Sequence, residues 1–504
     1  MTAPSEPVND GSAHPATAST PEPAGAAIPA ARTTARRAAS DVVLQIGARG
    51  LNALLGVAVT IALVRGLGAR GFGDWSTLLS ILTIVGYLGT LGLNDVALRY
   101  AALDPEHESM WISAVVALQL IISVPVTLVT IAVGVGLTHG SSKIAAVLLA
   151  CTCLFTALGS VRVVFQLRVR NSWTAGFELL NGILWAIAVL SIAAIGGGIV
   201  PFAVAFLGTT AIVNVAQFAL ARRQVHFGVS GQRSAIRQLI VVGVPFAIAS
   251  LLYLAYTQVD QVLVFELAGA RQAGLYGAAN RMLDRALVIP ASILATLFPM
   301  IAGAFREDIV RMRGLIQTAA EVLLTATVPF VCLVAVIARP LMTLMFGPQF
   351  AEAGDALTVF MIVFAASGFS FIAGDLVIVL GIQRRYIFYA LAGLVVNVGL
   401  NIVLIPPYGF LAAAWVSLVT EVVVIGLALH KCLSLIDLRL RFGRIIRILL
   451  TSGVGGLVAL GAKELGWALV PIGIAWLIGT ALGWLVLRPW TREELRAVVR
   501  GRGG

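Results

Sequence analysis

Fourteen apolar runs fill this chain almost end to end, each near the length of about 20 residues that a helix needs to cross a bilayer. No water inside a bilayer pairs with backbone N–H and C=O groups, so each run must satisfy its own main chain by coiling into a helix. The runs lie at about 42–66, 74–98, 110–137, 143–167, 173–196 and 199–221, then at 238–263, 275–303, 314–338, 356–381, 386–406 and 409–430. A last pair lies at about 445–463 and 467–488. The expected fold class is therefore all-α, a polytopic membrane protein with about 14 transmembrane helices.

The runs fall into two matching sets. Gly68, Ala69, Arg70, Gly73 and Trp75 come after the first run, and Gly269, Ala270, Arg271, Gly274 and Tyr276 come after the seventh, at a constant offset of 201 residues. Five matches at one spacing predict two six-helix bundles related by an internal repeat, with the last pair as an addition. In a polytopic protein such a repeat points to a carrier whose halves rock against each other.

The same pattern sets the domain organisation. Residues 1–40, rich in Pro, Ala, Ser and Thr, are expected to be a disordered cytoplasmic tail, although Arg32, Arg36 and Arg37 would also suit an interfacial helix over 31–41. Residues 41–222 form the first bundle, 223–237 a cytoplasmic linker, and 238–431 the second bundle. Residues 432–504 hold a basic linker, the extra pair and a cytoplasmic tail. Loops that stay in the cytoplasm accumulate Lys and Arg. With the N-terminus inside, 25 of the 35 Lys and Arg fall on inner segments and 6 on outer loops. Both termini are thus expected to be cytoplasmic, in the inner cell membrane.

Composition removes other classes. At 59% hydrophobic and 12% charged the chain belongs in lipid, so its net charge of +11 reads as inner-surface bias rather than as a nucleic-acid footprint. No nucleic-acid partner is expected; membrane lipids are. Neither a Walker-type string nor HExxH occurs, and the five histidines sit in loops or near run ends, so no catalytic residue, metal or cofactor is expected. Cys151, Cys153 and Cys332 lie in apolar runs without zinc spacing and read as packing residues. No loop is long enough for the catalytic domain of a membrane glycan polymerase or ligase.

Charges within the runs are the candidate site. A charged side chain at the centre of a spanning helix costs about 2.5–3.5 kcal/mol on insertion scales, so it faces a cavity or a partner. Arg49, Asp95, Arg162 and Glu178 occupy the first half, and Asp260, Arg281, Asp284, Arg285, Glu321, Asp375 and Glu421 the second. Arg281 and Arg285 stand one turn apart with Asp284 beside them, about 9 and 15 Å into the eighth run. Either Asp284, Asp260 or Glu421 neutralises these guanidiniums permanently, or the surplus charge receives an anion, for which a planar bidentate guanidinium suits a phosphate or diphosphate. Arg49 could meet the same anion from the cytoplasmic half, whereas Arg162 reads better as snorkelling to inner-leaflet phosphates. Asp260, Asp284 and Glu421 are candidates for coupling or structural carboxylates.

Three stretches carry a family resemblance: LGARGFGDW at 67–75, YTQVDQVLVFELAGARQAGLYGAANRM at 256–282, and LGIQRRYIFYALAGLVVNVGLNIVLIPPYGFLAAAW at 380–415. Over about 41–430 the chain resembles the polysaccharide transport proteins, the Wzx-like oligosaccharide flippases of the multidrug, oligosaccharidyl-lipid and polysaccharide flippase superfamily. That resemblance implies two six-helix bundles in a V, alternating access, and a polyprenyl-diphosphate-linked oligosaccharide carried to the outer leaflet for surface polysaccharide synthesis. It implies a transporter rather than an enzyme, with the lipid-linked oligosaccharide as substrate and glycan-assembly proteins as partners. Arg49, Arg281 and Arg285 would hold the diphosphate. A lipid II flippase, or a drug or organic-cation antiporter of the same superfamily, is the alternative; a cationic cargo would call for a net acidic cavity. The extra pair departs from the twelve-span core.

Overall fold

The computed structural model describes residues 31–90, 92–167, 171–225, 232–438 and 442–490. The first half comprises α1 (Ala31–Thr90), α2 (Leu93–Leu103), α3 (Glu108–Leu137), α4 (Ser142–Leu158), α5 (Arg162–Leu167), α6 (Asn171–Ala194) and α7 (Ile199–Arg222). The second comprises α8 (Gln232–Ala268), α9 (Ala270–Ala286), α10 (Val288–Glu307), α11 (Ile309–Phe346), α12 (Ala353–Val379), α13 (Gln383–Tyr408) and α14 (Phe410–Leu435). The added pair is α15 (Phe442–Glu464) and α16 (Leu469–Leu487).

Fourteen crossings result, as the apolar runs predict. Among the described residues 12 segments are long and apolar enough to span a bilayer, and the first, Gly50–Leu103, is 54 residues long. It holds two crossings, because the chain turns at Gly68, whose φ of 66° a side chain would resist. The 37-residue α8 supplies the fourteenth. One boundary differs from expectation. Residues 31–40, assigned from composition to a disordered tail, are the first turns of α1. The run ARTTARRAAS is rich in the strong helix formers Ala and Arg and contains no Pro, so helix extends from the first span back toward the N-terminus. Residues 1–30 lie outside the described residues. On the inner loop after α2, Nδ1 of His107 lies 2.9 Å from the Asp104 carboxylate, and this hydrogen bond holds the Asp104 carboxyl below its ordinary range.

How the core is divided decides the shape. Toward the outer ends, Val59, Val64, Phe72 and Trp75 of the first half share one cluster with Val264, Leu275, Phe346 and Phe360 of the second. Toward the inner ends there are two separate clusters. One joins Leu93, Ile112, Val164 and Ala221; the other joins Ile301, Met312, Leu376 and Cys432. The halves therefore meet at the outer side and part toward the cytoplasmic side, a V open inward. The inner end of α8 is the exception to this division: its Ala235 and Leu239 are buried in the first-half cluster.

Charge and broken helix fix the extra pair to α11. Arg444 of α15 donates to buried Glu321 at 2.6 Å and stacks 4.8 Å above the Trp490 ring, whose Nε1 donates to Thr325. Pro340 has no N–H, so the Val336 carbonyl one turn earlier loses its helical donor. Lys463 Nζ supplies the replacement at 2.8 Å. Glu321, one of the charges within the runs expected to face a cavity or a partner, is thus half of an ion pair. Removing one partner of a buried pair costs about 3–5 kcal/mol. The Arg444→Leu variant should unfold at a lower temperature in a purified-protein melt, and adding Glu321→Gln should restore part of the loss. A melt identical to that of the parent would mean that the pair does not anchor α15.

Candidate functional site

The site is built around the repeat. Gly68 (φ 66°, ψ 179°) and Gly269 (φ 88°, ψ 167°) make the same turn, so both halves launch their next helix with the same geometry. Five residues on, Gly73 and Gly274 each pack directly against the other half's main chain. A methyl group on Gly73 would overlap the carbonyl oxygen of Ala270, and one on Gly274 would overlap that of Ala69. The two copies of the motif are each other's contact surface, which no sequence comparison of the loops could reveal.

Polar ties brace this crossing. Arg65 donates from Nε to the Met345 carbonyl at 2.8 Å and from Nη2 to that of Leu344 at 2.5 Å. Those carbonyls end α11, where helix acceptors lack partners and the dipole is negative, so a first-half cation caps a second-half helix. Gln261 of α8 donates to Ser76 at 2.9 Å and to Thr77 at 3.2 Å, and Ser80 donates to Gln258 at 2.9 Å.

Just inward of the crossing, at the apex of the V, lies a cavity of about 150 Å³. Arg281 and Arg285 line it from α9, and Thr60, Phe72, Trp75, Trp185 and Phe206 line it from the first half. The aromatic wall is ordered. Trp75 stacks on Trp185 at 6.1 Å, and Phe206 sets its edge against both rings. Sequence reading misses this wall, since its members come from three spans and each alone reads as core. It also misses Gly56, whose bare Cα is what lets the Arg285 guanidinium lie against α1.

Each charge in the bundle has a distinct setting. Arg281 pairs with Asp284 at 3.2 Å, both partly exposed. Arg285 has no carboxylate partner among the described residues. The cavity therefore holds more positive than negative charge. Asp260 and Glu421, which could have neutralised the arginines, do not reach them. Asp260 is buried among neutral donors, Asn401 at 2.8 Å, Ser417 at 2.5 Å and Tyr276 at 3.2 Å. Glu421 accepts from Ser370 at 2.6 Å and Tyr256 at 3.1 Å. Both carboxylates sit inside the second bundle, Asp260 against Tyr276 of α9, Asn401 of α13 and Ser417 of α14, and Glu421 against Tyr256 of α8 and Ser370 of α12. Arg49 belongs to α1, seven residues before Gly56, and its side chain lies outside the described residues. Arg162 and Glu178 are exposed, and Asp375 is half-buried in α12. The cysteines are free thiols. Two guanidinium forks against an aromatic wall can hold a phosphate group by paired N–H···O bonds while a flat ring or apolar chain lies alongside.

Comparisons with known proteins bear on the family and the fold. The family described as polysaccharide biosynthesis protein matches residues 39–305, more than half of the chain. No curated protein matches it by sequence. Among solved structures, the lipid II flippase MurJ in an inward closed conformation superposes with a TM-score of 0.71 at 13% identity, covering 88% of this chain and 99% of that one. A multidrug-resistance MATE transporter of the MOP superfamily, inward-facing, gives 0.63 at 14% identity over 78% of this chain and 98% of that one. A MOP-superfamily transporter from Pyrococcus furiosus, described as having a binding pocket of reverse polarity, gives 0.53 at 14% identity over 80% of this chain and 96% of that one. The fold is shared with all three.

Proposed function

This chain belongs to the polysaccharide biosynthesis protein family, and we propose that it is an alternating-access flippase that carries a polyprenyl-diphosphate-linked glycan from the inner to the outer leaflet, with lipid II the favoured cargo. The observation that carries the reading is the cationic cavity at the apex of the V. Arg281 and Arg285 line it, and of the two only Arg281 holds a carboxylate, Asp284, among the described residues, so an anionic group entering from the cytoplasmic side gains charge-assisted bonds. An organic cation would meet the wrong sign. Arg49, two turns inward on α1, would be the first guanidinium that the diphosphate encounters. The cavity has room for the diphosphate alone; in this reading the sugar lies outside it and the isoprenoid tail has no need to leave the bilayer.

Lipid II is favoured over a surface-polysaccharide oligosaccharide because of the extra pair. Coverage of 88% is about 444 residues, more than the 441 that precede α15, so the likeness to the lipid II flippase extends past the second bundle. The family's description supports the polysaccharide precursor as the second reading. Coupling falls to buried Asp260 and part-buried Glu421, carboxylates whose hydrogen-bond partners in the described residues are all neutral, so that a proton or small cation would be the missing charge. Asp284 is the counter-charge that holds Arg281 when no cargo is present.

The test is reconstitution of the full chain into liposomes with fluorescent lipid II or a polyprenyl-diphosphate oligosaccharide in the inner leaflet. Movement of either to the outer leaflet, read by a membrane-impermeant quencher, is the expected result, with lipid II the faster. Transport of an organic cation in place of both would overturn the reading in favour of an antiporter.

A further inference from the structure

A second, larger cavity lies on the outer face of the second half, clear of the guanidinium site. Its volume is about 520 Å³, inside the range of about 300–1,000 Å³ that small-molecule sites occupy. The ends of α8 and α13 and the starts of α9, α12 and α14 surround it, and Arg271, Gln272, Glu352, Pro406, Pro407 and Tyr408 give it its chemistry. Arg271 Nη2 lies 3.2 Å from Glu352 Oε2, with both side chains more than half exposed. The pair offers donors and acceptors side by side and no net charge. A free anion meets Glu352 and a free cation meets Arg271, so neither sign is selected.

The remaining lining narrows the ligand further. Gln272 uses its carbonyl oxygen to accept from the Phe410 N–H at 2.8 Å, which leaves its amide donors uncommitted by that bond. Tyr408 is 70% exposed and comes directly after the prolines, so one wall presents an aromatic ring and two saturated rings without N–H groups. Polar forks on one side and ring faces on the other match a sugar, whose hydroxyls radiate from its edge and whose C–H faces stack on aromatic surfaces. We propose that this outer cavity is a binding site for an uncharged saccharide unit. Arg271 and Gln272 belong to the first turn of α9, just before Gly274, so an occupied site touches the helix that closes the outer side. Only the source of the sugar, whether the emerging head of the cargo or a free glycan, rests on the flippase reading.

The experiment uses the full chain in nanodiscs with chitobiose and maltose as soluble probes and saturation-transfer NMR as the readout. Signal transfer to at least one sugar is expected, weakened about tenfold in Tyr408→Ala, likewise in Glu352→Gln, and kept in Tyr408→Phe and in the Arg281→Ala, Arg285→Ala double variant. Binding that survives Tyr408→Ala but vanishes in the arginine double variant, or that inorganic diphosphate displaces, would assign the sugar to the inner cavity and overturn the proposal. So would the absence of transfer to either probe, which would leave Tyr408 as an interfacial anchor only. Flipping assays on Tyr408→Ala separate the sources. A slower rate identifies the sugar as the cargo's own, and an unchanged rate beside lost soluble binding identifies a free saccharide. Because the binding readout does not depend on transport, it stands or falls separately from the flippase reading.

Discussion

Replacing Arg281 and Arg285 together with alanine is expected to abolish outward movement of the lipid-linked glycan while the protein still inserts and folds. Hydrogen bonds to charged groups contribute about 1.5–3 kcal/mol each, so losing both forks lowers cargo affinity about 100-fold or more. Stability should change little, because Arg285 has no carboxylate partner in the described residues and Arg281 holds only a part-exposed one. Lysine at both positions keeps the charge without the planar fork and should retain a fraction of the rate. A separate handle reaches the same group from the other half. The Gly56→Leu side chain would occupy the space where the Arg285 guanidinium lies, and a long flexible side chain can swing away. It should therefore reproduce Arg285→Ala in a flipping assay without lowering the melting temperature. Undiminished flipping by the double alanine variant would remove α9 from the substrate site.

The second large effect is expected at the crossing of the repeats. An alanine at Gly73 or Gly274 collides with a main-chain carbonyl, which cannot turn aside as a side chain can. The helices must separate, at a cost typical of overpacking, about 1–3 kcal/mol. That cost falls only on the state in which the outer ends touch. Gly73→Ala should consequently shift the molecule toward its outward-open form. In a background with Cys151, Cys153, Cys332 and Cys432 replaced by serine, Ser76→Cys lies buried beside the crossing. Membrane-impermeant maleimide should leave it unlabelled in otherwise native protein and label it once Gly73→Ala is added, with transport slowed in parallel. Equal labelling of the two proteins would show that the glycine contact does not close the outer side.

What the sequence could and could not convey divides along physical lines. Spans were legible because insertion into lipid is decided by each segment's own polarity, so all fourteen runs correspond to helical structure. The repeat was legible as likeness, since Gly68 and Gly269 need the same positive φ. That the two copies touch was not, because likeness says nothing of proximity. Arg281 and Arg285 stood out by charge, and the structure brings both to one cavity. Asp284 was legible as the neighbour of Arg281 at i,i+3 and does pair with it, whereas the placement of Asp260 and Glu421 among neutral donors depends on packing between distant helices. The aromatic wall had no signal at all: Trp75, Trp185 and Phe206 lie on three spans, where aromatic residues are ordinary. Glu321 looked like a functional charge until α15 supplied Arg444. The start of α1 was legible only as the alternative to a disordered tail, since whether an Ala-rich segment coils depends on the spanning helix that gives it a nucleus.

One helix serves two masters, and this has a bearing on how the protein is made. The inner end of α8 is buried with Leu93, Ile112 and Val164, although its chain position and its outer end belong with the second half. A ribosome delivering the chain from its N-terminus releases six spans with a wall missing, and the gap along α2 and α3 closes only when the seventh span arrives. The first bundle thus keeps an open flank until the seventh span is in place, so a single helix ties together two units that could otherwise have drifted apart.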